Sequence, residues 1–134
     1  MGRRKRINAE NRKKLRKHIV ISSLRNIRIS CRKMRIVADL IRSMDVIKAL
    51  AVLKYNNRRN ISIILSKVLL STILNWKSKN KNSDESNIYI KEIKVDGARS
   101  IKRLQPAPHG KAHRIKKYSS HLSLTLQKKL WDIK

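Results

Sequence analysis

The chain has 134 residues, of which 35 are Lys or Arg and only 8 are Asp or Glu, so its formal net charge at pH 7 is +27. This excess argues against a small-molecule enzyme, because uncompensated charge destabilises a compact fold by self-repulsion and serves no chemistry there. It favours a polyanionic partner, with nucleic acid before an anionic membrane surface.

The first segment, residues 1–18, is predicted to be a basic tail. Residues 1–17 contain nine Lys or Arg and a single acid, Glu10. Few apolar side chains accompany these charges, so the segment cannot bury enough surface to order itself. We therefore expect the tail to fold only on a partner.

The next segment is predicted to form a strand and then a helix. Residues 19–29 carry β-branched side chains in loose alternation, which is typical of a strand. Ser30 then precedes apolar residues at helical spacing. It is therefore predicted to cap a helix over residues 31–43.

Two further helices are predicted from the apolar pattern. Asp45 stands where it can cap a short helix over residues 46–54. The clearest helix covers residues 61–76, where apolar side chains recur at alternating spacings of three and four over four turns. We expect the core to lie mainly between Arg32 and Trp76.

Two strand patterns are predicted near the end of the chain. Residues 88–95 read as a strand whose apolar phase slips between Ile90 and Ile93, which indicates either a bulge or a change of environment along the strand. Residues 122–126 alternate strictly, as in a strand that is packed on one face. We predict that these two strands pair antiparallel across the helices.

Between these strands lies a stretch, residues 97–118, that is predicted to be an extended β-hairpin and is called the arm below. It contains no acid, and its turn signal, Pro106-Ala107-Pro108-His109-Gly110, lies near its middle. It also offers no apolar face with which to pack on its own domain, so its order requires a polyanionic environment. Seven cations lie along it: Arg99, Lys102, Arg103, Lys111, Arg114, Lys116 and Lys117.

Two segments of the chain resemble motifs of one known family. Residues 30–42, SCRKMRIVADLIR, resemble the segment S-P-R-K-M/V-R-L-V-A-D-x-I-R. Residues 106–117, followed by Ser120-His121-Leu122, are similar to the signature P-x-x-x-G-R-A-x-R-I-x-K-R-x-S-H-I. Both motifs are those of ribosomal protein family twenty-two of the large subunit. The resemblance is collinear over about residues 19–126. The departures are Cys31 for Pro, Lys111 for Arg, and Gln105 and Tyr118 for basic residues.

The resemblance implies an α+β fold, in which three helices pack on a small three-stranded antiparallel sheet and two strands extend as a long basic β-hairpin. The globular body would comprise residues 19–96 and 119–127, with residues 128–134 as a C-terminal tail. The implied function is structural. The protein would bind 23S-type ribosomal RNA and neighbouring large-subunit proteins, contribute to subunit assembly, and line the nascent-peptide exit tunnel with its hairpin tip.

The predicted RNA-contact residues are the cations of the arm and three cations that open the first helix of the body. Basic side chains at a helix start oppose the helix dipole, and a nearby phosphate relieves this repulsion. The full set is Arg32, Lys33, Arg35, Arg99, Lys102, Arg103, Lys111, Arg114, Lys116 and Lys117. By resemblance, the residues at or near the tip are Pro106, Ala107, Pro108, His109, Gly110 and His113.

No catalytic site, metal site or cofactor is predicted. His109 and His113 are four residues apart, but they lie around a turn without a nearby Cys or carboxylate, which argues against zinc. The single cysteine, Cys31, cannot form an internal disulfide. No apolar run is long enough for a signal peptide or a transmembrane helix, so we expect a cytoplasmic protein with no membrane partner.

Two other functions compete with ribosomal RNA binding. A DNA-binding architectural or regulatory protein would explain the charge, but it would concentrate that charge on a recognition helix. A membrane-active cationic protein would need a basic polar face on its amphipathic helix. The helix predicted at 61–76 contains a single lysine, Lys67, which disfavours this second alternative.

Overall fold

The computed structural model describes residues 2–17, 19–80 and 88–128. Within these ranges the chain forms four helices and three strands. The helices are α1 (Arg3–Lys17), α2 (Cys31–Ile41), α3 (Val46–Tyr55) and α4 (Arg59–Lys79). The strands are β1 (Ile19–Ile27), β2 (Ile88–Pro106) and β3 (Ala112–Lys128), and a 3-10 turn at Pro108–Gly110 joins β2 to β3.

The three strands form one antiparallel sheet in the order β1-β3-β2. The strand β1 ends at Ile27, which pairs with Ser120. Beyond that point β2 and β3 continue alone, as far as the pair Pro106 and Ala112. The predicted antiparallel pairing is confirmed, and the bulge, one of the two alternatives for the phase slip, appears as a register shift between Ile90 and Glu92.

One face of the sheet forms the floor of the core. Alternate residues of β3, Leu122, Leu124 and Leu126, are completely buried on this face. The helix α4 packs against β1 and β3, and its Leu69 and Trp76 join the same apolar cluster. The period of two along β3 and the helical period along α4 therefore converge on a single core. The predicted α+β fold class, with helices on a three-stranded antiparallel sheet, is confirmed.

A helix that the sequence did not predict, α1, adds a fourth helix to the fold. The tail was expected to have no order of its own, whereas residues Arg3–Lys17 are helical. Arg, Lys, Ala and Glu favour a helix even in a segment that has no apolar face. In addition, Arg6 pairs with Glu10 one turn later at 3.3 Å. All described side chains of α1 are exposed, so the helix adds nothing to the core.

The two predicted N-caps occupy their positions without acting through their side chains. Ser30 and Asp45 precede α2 and α3 in extended conformations, yet neither side chain bonds to a helical N–H. Their carbonyl oxygens instead accept from the N–H groups of Met34 at 3.1 Å and Ala49 at 2.8 Å. The predicted N-cap positions are therefore confirmed, but the backbone carbonyls of these residues, and not their side chains, bond to the first helical turn.

Arg35 of α2 and Arg42, the residue that follows this helix, bind the exposed edge of β2. This strand lies at the sheet edge, so its outward carbonyls have no strand partner. Arg35 donates from Nε and Nη2 to the Val95 carbonyl at 3.1 and 2.9 Å, and Arg42 donates to the Ile93 carbonyl at 3.1 Å. The N–H of Ile90 continues this edge by donating to the Met44 carbonyl at 3.0 Å. The arginine side chains thus attach α2 to β2.

We expect Leu69→Ala to lower the free energy of unfolding by roughly 2–5 kcal/mol, because it removes a fully buried side chain from the centre of the cluster. The matched control is Leu70→Ala, because Leu70 is the next residue of the same helix and is 50% exposed. Urea denaturation of both variants is the measurement. Equal losses in the two variants would contradict the described orientation of α4.

We expect Arg35→Met to lower the free energy of unfolding by about 1–2 kcal/mol, because it leaves the Val95 carbonyl without its two charged donors. Arg32→Met is the control, since Arg32 is exposed on the same helix and has no partner in the described part of the chain. Thermal unfolding compares the two variants. A loss with Arg32→Met as large as that with Arg35→Met would refute this role.

Candidate nucleic-acid interface

The distal end of the arm is closed by a short, defined turn. The N–H of Ala107 donates to the Lys111 carbonyl at 2.8 Å, which fixes the two strand ends. Between them His109 and Gly110 have positive φ values of 60° and 68°. Glycine is suited to the second of these positions, since L side chains rarely adopt this conformation. The predicted tip residues, including His113 at the start of β3, therefore lie together at or beside this turn.

The arm's cations have no anionic partner within the described part of the chain. All seven are exposed, and the four described ion pairs involve other residues. Lys102 pairs in register with Lys116, so two ammonium groups lie on one face of the hairpin. Like charges directly opposite each other destabilise a β-hairpin. The arm is thus an arrangement that an external polyanion would stabilise.

Single apolar side chains are interleaved with these cations, on both faces of the hairpin. Leu104 is 70% exposed and lies opposite Arg114, whereas Ile115 is 39% exposed and lies opposite Arg103. Tyr118 is 56% exposed beside the base of the arm. Exposed apolar and aromatic surface beside cations suits ribose and base contacts as well as phosphate contacts.

The three predicted contact residues of α2 differ in their surroundings. Arg32 and Lys33 are exposed in the first turn of the helix. Arg35 directs its Nε and Nη2 to the Val95 carbonyl, so its principal role in the free protein is structural. The sequence could not distinguish these three cations, because the carbonyl that binds Arg35 lies sixty residues away.

A cationic cleft at the base of the arm includes residues that the sequence analysis missed. It has a volume of about 780 Å³ and combines Arg99, Lys102 and Arg103 of β2 with Asn26 and Arg28 from the end of β1. The only sequence signal for the β1 contribution is the basic segment Arg25–Arg28. Nothing in this sequence signal indicates that Arg25–Arg28 lies near the arm.

Neither a metal site nor a membrane-spanning helix is found in the described ranges. Over residues 2–17, 19–80 and 88–128, no group of three His, Cys, Asp or Glu side chains could hold a metal ion. None of the helices in those ranges has the length and apolar content needed to cross a membrane.

Comparison with known proteins was made over the whole chain. Residues 22–127 match the family described as "Ribosomal protein L22p/L17e". The large ribosomal subunit protein uL22 of Christiangramia forsetii is 47% identical over 128 residues, with 94% of each chain covered. That of Flavobacterium johnsoniae is also 47% identical over 128 residues, with 94% of this chain and 93% of the relative covered.

A third relative, the uL22 protein of Porphyromonas gingivalis, is 45% identical over 125 residues, and 92% of each chain is covered. The matches to the first two relatives leave only 6% of this chain outside, so they include part of α1, which precedes the family match. Both the length of the family match and these identities lead to the same assignment. The chain belongs to the L22p/L17e family of ribosomal proteins.

Proposed function

We propose that the protein is a structural, non-catalytic constituent of the large ribosomal subunit and binds ribosomal RNA through the arm. The observation that carries this proposal is the set of seven exposed arm cations with no anionic partner in the described ranges. An RNA backbone supplies the missing negative charge at a spacing that a hairpin can follow. The names of the relatives, large ribosomal subunit protein uL22, support the same assembly and a cytoplasmic location.

The finer proposal concerns the RNA and the site of the tip. We infer that the arm enters 23S-type RNA, that the body contacts neighbouring large-subunit proteins, and that binding contributes to subunit assembly. From Gly97 to Pro106 the arm has a reach of about 30 Å at the usual rise per residue. The proposed contacts are Arg32, Lys33, Arg99, Lys102, Arg103, Lys111, Arg114, Lys116 and Lys117, with Arg35 reserved mainly for β2.

The tip residues are proposed to line the nascent-peptide exit tunnel. Pro106, Ala107 and Pro108 have no charge, and the hydrogen bond from Ala107 to Lys111 holds the turn in shape. Such a surface suits contact with a passing peptide better than contact with phosphate. The arm would therefore bind RNA along its length and meet the nascent peptide at its end.

The same argument extends to α1. Its described side chains are exposed on every side, it has no acidic residue in its first turn, and Glu10 is already paired with Arg6. A helix that is cationic all around suits a site with RNA on more than one side. We therefore propose α1 as a second RNA contact, separate from the arm.

The first test concerns the arm. We expect the combined change of Lys102, Arg103, Lys116 and Lys117 to Gln to flatten the log–log salt dependence of binding to large-subunit ribosomal RNA by about 3, since each released counterion contributes 0.7–0.9. The matched control changes four exposed body cations to Gln: Lys54, Arg58, Arg59 and Lys67. Filter binding across a salt series gives the slopes. Similar slopes for the two variants would refute the arm as the principal contact.

The second test concerns α1. Changing Arg3, Arg4, Arg12 and Lys13 to Gln retains the Arg6–Glu10 pair. Relative to the unchanged protein, this variant is expected to flatten the log–log salt dependence of RNA binding by about 3. Combined with the arm variant, the reductions should add, because separate phosphates are involved. An unchanged slope in the α1 variant would exclude this helix from the interface, whatever the arm variant does.

A further inference from the structure

The cleft at the base of the arm lies where both outer strands of the sheet are irregular. The register of β1 with β3 shifts between Leu24 and Ile27. That of β2 with β3 shifts between Ala98 and Ile101. The two bulges therefore lie on opposite sides of β3 at neighbouring levels, where the three-stranded sheet narrows to the arm. Bulges often redirect side chains next to binding sites.

The bulge in β1 is held by a specific contact. Asn26 has a φ of 57°, and its backbone N–H donates to Nδ1 of His121 at 3.1 Å. Asn adopts a positive φ more readily than most other L residues, so it suits the bend of the chain at this bulge. His121 is therefore a positioning residue, since it holds the end of β1 in the conformation that lines the cleft.

The lining of the cleft combines charge with neutral polar and apolar groups. Its cations are Arg28, Arg99, Lys102 and Arg103, and no carboxylate lines it. Ser119 also lines the cleft and is 8% exposed, so its hydroxyl adds a neutral group that can both donate and accept a hydrogen bond.

The size of the cleft exceeds what a phosphate alone requires. Its volume of about 780 Å³ falls in the range of small-molecule sites, and Ile101 adds an apolar wall. Guanidinium groups bind phosphate with two hydrogen bonds and also stack on bases. A hydroxyl can bond to a base edge or to a ribose 2′-OH. These groups together match a whole nucleotide.

We propose that the cleft binds a single unstacked nucleotide of an RNA strand. Arg28 and Arg99 hold its phosphate, and the base or ribose lies against Ile101 within reach of the Ser119 hydroxyl. This inference rests on the proposed RNA binding and adds to it a preference for unpaired RNA. A nucleotide stacked within a regular duplex cannot enter the cleft, whereas the arm cations need only a phosphate backbone.

The test compares the affinity of the full chain for a twelve-nucleotide oligouridylate, whose bases are largely unstacked, and for a GC-rich RNA duplex of the same length. We expect Arg28→Gln to weaken single-strand binding about tenfold and duplex binding about twofold, and Ser119→Ala to weaken only the former, about threefold. The controls are Arg58→Gln and Ser23→Ala, which remove the same groups from exposed positions outside the cleft. Losses that are equal for the two RNAs, or equal in Arg28→Gln and Arg58→Gln, would overturn the proposal.

A second measurement separates a nucleotide from a simple anion. Amide shifts of Asn26, Arg28, Ser100 and Ser119 are followed while 15N-labelled protein is titrated with the oligouridylate or with inorganic phosphate at equal phosphate concentration. Saturable shifts at these four amides with the oligouridylate alone support the proposal. The same shifts with inorganic phosphate would reduce the cleft to an anion site. The arm variant changes Lys102 and Arg103, which also line the cleft, but neither Arg28 nor Ser119. The Arg28 and Ser119 variants keep all seven arm cations, so a failure of the cleft proposal in these two variants leaves the arm proposal standing.

Discussion

The structure of this chain is constrained above all by repulsion between like charges that the chain itself does not neutralise. It concentrates in the arm, where Lys102 and Lys116 are directly opposed. The pairing of β2 with β3 continues through this region to the pair Pro106 and Ala112, so backbone hydrogen bonding maintains a shape that electrostatics opposes. Phosphates of an RNA backbone would neutralise these charges, and the relief of their repulsion would favour binding.

The body supplies the stability that the arm lacks. Apolar residues of β3 and α4 form one buried cluster on one face of the sheet, and the same β3 continues outward as half of the arm. The rigid part of the molecule and the charged part therefore share a continuous strand. This continuity fixes the direction of the arm with respect to the body without any apolar packing along the arm itself.

The sequence predicted what depends on periodicity and missed what depends on distant pairing. The apolar spacing over residues 61–76 identified α4, but its ends, Arg59 and Lys79, were missed because exposed residues carry no periodic signal. The helix α1 was missed because helix formers without an apolar face resemble a disordered tail. Arg35 and the cleft required the register of β2 against distant segments, which residue types do not encode.

The arginine contacts on β2 also bear on the protein before it finds its RNA. A 19-residue edge strand offers a row of free backbone groups on which another polypeptide could add a strand. Arg35 and Arg42 occupy two of these carbonyls, and the exposed Lys91 adds charge to the same strand, whereas Lys94 is paired with Glu92 at 3.1 Å. Edge-to-edge aggregation is thereby opposed at the end nearest the body. This protection of the edge belongs to the chain itself and does not depend on a bound partner.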